Sequence, residues 1–331
     1  MRYLVLLIAL LLPSLAQAGF EEAARYSADH RGVSMLVMID GEIVFESYPN
    51  DGSANEAHNL ASGTKSFSGI VAAAMVQDGL LDLDERISDT ITRWRRDERE
   101  TITVRQLLSL TDGLDHRGRM ARPPTYGRAI SSQADHRPGT VFTYHPAPFQ
   151  IFGELARRKL DGETPLEYLE RRIFDPIGFE YGNWKHGRDD NPHLPSGASL
   201  TARNWALFGQ FILQGGTWDG DQLVDPGAFA DLFEGSQANP AYGLTWWLNE
   251  PVSRTYAERT TPMMQATDFW QDPSAFPDDM VMAAGAGNQR LYISWSENMV
   301  VVRQADGIFR SLVGRGDNWS DVEFFRLLMD E

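Results

Sequence analysis

The stretch His58-Asn59-Leu60-Ala61-Ser62-Gly63-Thr64-Lys65-Ser66-Phe67 decides how the rest of the chain is read. It opens a segment expected to be helical from Ser62 to Gln77 and stopped by Gly79. Residues three apart on a helix share a face, with Cβ atoms about 5 to 6 Å apart, so the Lys65 amine can reach the Ser62 hydroxyl. A serine hydroxyl is a weak nucleophile until a neighbouring base takes its proton. Lysine can be that base only when burial or nearby positive charge lowers its pKa. The helix N-terminus supplies such a field, and its amide groups can stabilise a developing oxyanion. Ser-x-x-Lys by itself is a common surface pattern, but composition adds weight here. The chain has three lysines, Lys65, Lys159 and Lys185, beside 27 arginines (30 basic residues less three). Arginine cannot give up its proton in a protein, so a base at position 65 has to be lysine.

The 331 residues are 23% charged and 42% apolar, the balance of a globular chain with ample material for a large core. Met1-Arg2, the apolar run Leu4 to Leu12, Pro13 and Ala16-Gln17-Ala18 together read as a secretory signal peptide over residues 1–18, cleaved after Ala18. Nine apolar residues are too few to cross a hydrocarbon layer that needs roughly 20, so no membrane anchor is expected after cleavage. The expected location is the periplasm or the medium. Export permits disulfides, yet the chain has no cysteine, which excludes thiol catalysis, thiolate metal sites and lipid attachment through cysteine. Without the leader the formal charge is 29 minus 46, or −17, which opposes binding to nucleic acid or anionic membrane.

Toward one end, Ser34 to Ile39 and Glu42 to Tyr48 read as strands joined by Asp40-Gly41, a pair suited to the positive φ of a tight turn. Toward the other, Leu291 to Trp295 and Met299 to Val302 flank Ser296-Glu297-Asn298 in the same way. Both ends therefore contribute to antiparallel sheet. Ser320-Asp321-Val322-Glu323 is a capping box that opens a closing amphipathic helix. Between these ends the pattern is mostly helical: Val104 to Leu110, Pro148 to Lys159, Pro165 to Phe174 and Thr201 to Gln214. The expected organisation is one α/β unit, about 19–82 and 235–331, split by a helical part, about 83–234. Trp246, Trp247 and Trp295 are expected in the core rather than along a pocket.

Several ordered motifs beyond Ser62 and Lys65 carry a wider resemblance. They are Ile102 to Leu114, Pro138-Gly139-Thr140-Val141-Phe142-Thr143-Tyr144, Leu200 to Trp205 and Tyr242-Gly243-Leu244-Thr245-Trp246-Trp247. With them the chain resembles the serine β-lactamase and penicillin-binding-protein superfamily, specifically its class C β-lactamase, esterase and 6-aminohexanoate-dimer hydrolase branch. The resemblance implies a mixed α/β fold, an antiparallel sheet flanked by helices with a helical insertion. It also implies acyl transfer to water without a cofactor, on a small ester, amide or short peptide. Ser62 would be the nucleophile, and Tyr144 would relay protons beside Ser62 and Lys65.

Two motifs depart from the family pattern. Where Tyr-x-Asn is usual, the chain has Tyr144-His145-Pro146, and proline offers no side-chain amide to hold the lysine or a substrate carbonyl. Where a strand usually carries Lys-Thr-Gly or His-x-Gly, the counterpart is Ala283-Ala284-Gly285, followed by Ala286-Gly287-Asn288-Gln289. Its small residues still let backbone approach a substrate, so Gly285 and Ala286 are candidate binding residues and the amides of Ser62 and Ala286 are candidate oxyanion donors. Arg290 is the residue able to supply the missing basic contact, although an arginine here is expected to be solvated. His145 is expected to be a pocket or loop residue, because no pair of histidines has metal-ligand spacing. The rival reading is a catalytically silent binding or sensor domain, to which Pro146 and Ala283 lend weight; a true β-lactamase or D,D-peptidase is the second alternative.

Overall fold

The computed structural model describes residues 17–115, 122–252 and 268–330. The expected leader falls on 1–18, and its apolar run lies outside the described residues; residues 17–29 form the first described helix. The strands are β1 (Gly32–Ile39), β2 (Glu42–Ser47), β3 (His58–Asn59), β4 (Asn183–Trp184), β5 (Ala198–Leu200), β6 (Thr217–Trp218), β7 (Asp221–Gln222), β8 (Trp247–Leu248), β9 (Val281–Gly285), β10 (Gln289–Ser294) and β11 (Met299–Ala305). Six of them make one sheet in the order β2-β1-β11-β10-β9-β8, antiparallel at each pairing. β1 pairs with β11 inside this sheet, which joins strands from far apart in the sequence, and β2 and β8 are its edges. Asp40 and Gly41 take φ of +53° and +80°, which glycine adopts freely and aspartate tolerates, and the β1 to β2 hairpin forms where it is expected.

Helices cover both faces, which is why β9, β10 and β11 are buried along their whole length, their polar residues Gln289, Arg290, Ser294, Arg303 and Gln304 included. Helix Ala202–Leu213 packs on one face, where a Cβ on Gly209 would stand 2.5 Å from Val300, so only glycine allows the approach. The first described helix and the closing helix Asp321–Met329 cover the other, with Tyr292 stacked on Phe324. Ser320 caps the closing helix by accepting from the Glu323 amide. The reciprocal half of the expected capping box is replaced, since the Ser320 amide donates to the Tyr26 hydroxyl. A three-stranded sheet, β3-β5-β4, ties the segment before Ser62 to residues 183–200 of the central region.

Two expected helices end differently in space. Val104 starts a helix that stops at Leu108, because Leu110 takes φ of +60°; Pro165 starts one that is α-helical to Leu169 and widens into a π turn over Glu170–Phe174. Trp246 and Trp247 are buried as expected, Trp295 partly so.

Candidate active site

The segment expected as one helix from Ser62 is two helices in series: a 3-10 turn, Ala61–Lys65, then an α-helix, Ser66–Gln77. The difference bears directly on the site. In a 3-10 turn residues i and i+3 eclipse each other, so Ser62 and Lys65 stand directly in line on one side of the turn. Lys65 Nζ lies 2.9 Å from Ser62 Oγ. Ala61, just ahead of the serine, sits at φ +47°, a left-handed conformation that costs an alanine on the order of 1 kcal/mol or more. Asn59 holds it there: its Oδ1 accepts from the Ala61 amide at 3.1 Å, while its Nδ2 donates to Ala198 O, also at 3.1 Å.

Lys65 is buried while Ser62 is partly exposed, so the amine is shielded and the hydroxyl is not. Burial alone pushes the Lys65 pKa down to about 7. The ammonium is disfavoured there because the surroundings are apolar rings, with Nζ 4.8 Å from the centre of the Tyr144 ring and 5.3 Å from that of Phe149. Its other partner is a backbone group, the Pro195 carbonyl, to which Nζ donates at 3.0 Å. A neutral amine has one lone pair, and with an N–H committed to Pro195 that pair is left to face Ser62.

The Pro195 carbonyl does the work that the side-chain amide missing at Pro146 would otherwise do. It is held from two sides. Gln150, fully buried, accepts from the Leu194 amide at 3.2 Å and donates to Pro124 O at 2.9 Å; Thr64 Oγ1 accepts from the Ala198 amide at 3.2 Å. Sequence reasoning missed Pro195 because a backbone carbonyl leaves no residue-type signal. It missed Gln150, which acts on backbone brought near it only by the fold, and Asn59, whose bond to the Ala61 amide is local but whose second bond, to Ala198, is not.

Tyr144 is buried in the same cluster, with Lys65 Nζ over its ring and its hydroxyl on the side of Ser62. Trp247 of β8 stacks on its ring, with centroids 5.6 Å apart and planes 21° apart. Burial raises the Tyr144 phenol well above its ordinary value, against smaller lowering effects of the Ser62 bond and the Arg290 charge. The two groups are therefore pushed apart: at neutral pH the tyrosine keeps its proton, and the lysine is poised to take one. His145 is nearly buried, and its Nδ1 accepts from the Ala147 amide at 3.1 Å, so its ring caps helix Ala147–Lys159.

Strand β9 runs its end against the turn that carries Ser62. A Cβ on Gly285 would come 2.0 Å from Leu60 O and 3.1 Å from Gly63 N, so nothing larger than glycine fits. Ala286 follows in the turn and is half-buried. Alternation along the strand puts Ala283 on the same side as Gly285, with only a methyl group to offer. The expectation of a solvated Arg290 is corrected. Its side chain is 2% exposed, with Nε 2.7 Å from Asp321 Oδ1, and its Nη1 donates to the carbonyls of Gly285 and Gln289. It grips backbone and is not presented to a substrate carboxylate, because it faces the closing helix rather than solvent. Among the described residues no group of three His, Asp or Glu side chains is placed to hold a metal ion, and no helix is long and apolar enough to cross a membrane.

Comparison with known proteins finds relatives of the whole fold. "Protein flp" of Staphylococcus aureus (strain MRSA252) is 22% identical over 260 residues, covering 68% of this chain and 51% of its own length. The chain thus spans about half the length of the curated relatives it matches. Among solved structures, a class C beta lactamase from Rhodobacter sphaeroides superposes with a TM-score of 0.64 at 18% identity, covering 96% of this chain and 97% of the other. A family VIII carboxylesterase superposes with a TM-score of 0.61 at 16% identity, covering 90% and 96%. The Beta-lactamase family profile matches residues 18–290, and the chain belongs to that family, within the serine β-lactamase and penicillin-binding-protein superfamily.

Proposed function

We propose that the protein is an exported serine hydrolase that transfers the acyl group of an uncharged ester or simple amide to water. The observation that carries this reading is the 2.9 Å contact between a partly exposed serine and a buried lysine whose pKa burial brings down to about 7. Ser62 Oγ passes its proton to neutral Lys65 and attacks the carbonyl carbon, and the carbonyl oxygen becomes an oxyanion facing the amides of Ser62 and Ala286. Tyr144, still protonated, gives its proton to the leaving oxygen or nitrogen and recovers one from the Lys65 ammonium. Water then repeats the sequence on the acyl-enzyme. Labelling of Ser62 by a fluorophosphonate tests the reading against a silent binding domain, which leaves the probe unreacted.

The preference for uncharged substrates is supported by what β9 lacks. In the resembled family the third motif's basic and hydroxyl groups help hold the carboxylate of a β-lactam, and a charge-assisted bond of that kind contributes roughly 1.5 to 3 kcal/mol. Ala283 and Ala284 offer no such group, and Arg290 is committed to Asp321 and to backbone. Losing that contact in the transition state lowers kcat/KM by about one to two powers of ten. A short-chain nitrophenyl ester is therefore expected to be turned over with a higher kcat/KM than a chromogenic cephalosporin. A cephalosporin that proves the better substrate removes the esterase reading and leaves the β-lactamase one.

Export is proposed on the sequence of residues 1–18 alone. Mass spectrometry of protein recovered from the producing cell is expected to find Gly19 as the mature N-terminus, and a mature chain beginning at Met1 rejects export by this route.

A further inference from the structure

Arg290 and Asp321 form an ion pair whose side chains are 2% and 1% exposed. Such burial costs each charge its hydration, so the pair is not explained by stability alone. Asp321 opens the closing helix and also accepts from the Tyr292 hydroxyl and, at 2.9 Å, from Trp319 Nε1. From that anchor Arg290 reaches the turn between β9 and β10, donating through Nη1 to Gly285 O at 3.2 Å and to Gln289 O at 3.1 Å. In a trans peptide the C=O of one residue and the N–H of the next point in opposite directions. Arg290 is registered opposite Ala284, on the face of β9 away from the Gly285 side that meets Leu60 and Gly63. A grip on the Gly285 carbonyl from that face turns the Ala286 N–H toward the nucleophile.

The rest of the turn is tied down too. Arg303, paired in register with Arg290 and stacked 3.9 Å over Trp319, donates to Asn288 O at 2.8 Å; Gln289 Nε2 donates to Gly287 O at 3.2 Å; Asn288 Nδ2 donates to Asp317 Oδ1 at 2.9 Å. We propose that Arg290, held by Asp321, is a positioning residue for the oxyanion site: by fixing the Gly285 carbonyl it aims the Ala286 amide at the substrate oxygen above Ser62. This rests on the serine hydrolase reading and adds to it the device that orients one of its donors.

The test compares wild type, Arg290→Lys, and the double variant Arg290→Met with Asp321→Asn, which removes both charges of the pair together. Each is assayed on p-nitrophenyl acetate and for affinity toward phenylboronic acid, whose serine adduct places an oxygen in the oxyanion site. In both variants kcat is expected to fall roughly 100-fold to 1,000-fold, the scale of losing one oxyanion donor. KM is expected to stay within threefold, boronate affinity to fall with kcat, and the acid limb of the pH profile to keep its wild-type position. Three results overturn the positioning role. They are a folded variant with kcat within threefold of wild type, a kcat loss with boronate affinity unchanged, and loss of the folded state in both variants, which assigns the pair to stability. A wild type that neither hydrolyses the ester nor binds the boronate overturns the hydrolase reading itself, and so is told apart from failure of the positioning role.

Discussion

Ser62→Ala is expected to abolish fluorophosphonate labelling and to lower kcat by about 10⁴-fold to 10⁶-fold, the scale on which nucleophile knockouts in serine hydrolases fall. Lys65→Arg is expected to do nearly the same damage, because a permanent cation cannot accept the serine proton. The structure adds that the buried site has no carboxylate paired with position 65 among the described residues, so a guanidinium there also carries a desolvation cost. Lys65→Met removes that complication, and it is expected to be equally inactive while folded. Retention of most of the wild-type acylation rate by Lys65→Arg rejects lysine as the base.

The same lysine sets the pH dependence. The form that accepts a proton is the neutral amine, and its pKa is lowered to about 7, so kcat/KM is expected to fall about tenfold per pH unit below 7. A profile flat from pH 5 to 8 contradicts this. Stability carries a matching signature. Between pH 7 and the ordinary lysine value of 10.5 the unfolded chain binds a proton at this position that the folded chain does not, so wild-type stability gains with rising pH in that window. Below 7 the amine is charged in both states and the cost of burying it is borne in full. Lys65→Met has no such term. Its stability relative to wild type is therefore expected to be highest below pH 7 and to decline as pH rises toward 10.5, as read by urea unfolding at several pH values.

Tyr144→Phe is expected to lower kcat by roughly 100-fold to 10,000-fold, the range for losing one acid or base. The fold should be retained, since the Phe ring keeps the stacking on Trp247 and the edge contact with Tyr242. The loss should depend on the leaving group. Burial keeps the phenol protonated, which makes it a donor to a departing alkoxide or amine. Nitrophenolate leaves without that help, so the deficit is expected to be smaller on a nitrophenyl ester than on a simple amide or alkyl ester. An equal and small deficit on both classes, under tenfold, removes Tyr144 from the proton path.

The hairpin at Asp40-Gly41, the cap at Ser320 and the closeness of Ser62 to Lys65 were all legible in the sequence. Each depends on groups within a few residues of one another, where backbone geometry leaves few alternatives. The site's support was less legible. Pro146 read as a missing contact to the lysine, and the structure supplies that contact through the Pro195 carbonyl, 130 residues away in sequence. Arg290 read as solvated because most arginines are, yet Asp321 arrives from the closing helix to pair with it.

The meeting of Ser62 and Lys65 is a local property: a hydroxyl and an amine three residues apart on one turn come together where that turn forms. What the amine becomes there is a tertiary property. Only the packing of Tyr144 and Phe149 around Lys65 removes the water that would keep it charged, and only the fold brings β9 against the Leu60–Gly63 turn. Sequence spacing specifies which atoms are neighbours along the chain. Hydration, and with it the pKa of Lys65, depends on how many distant segments close over the site.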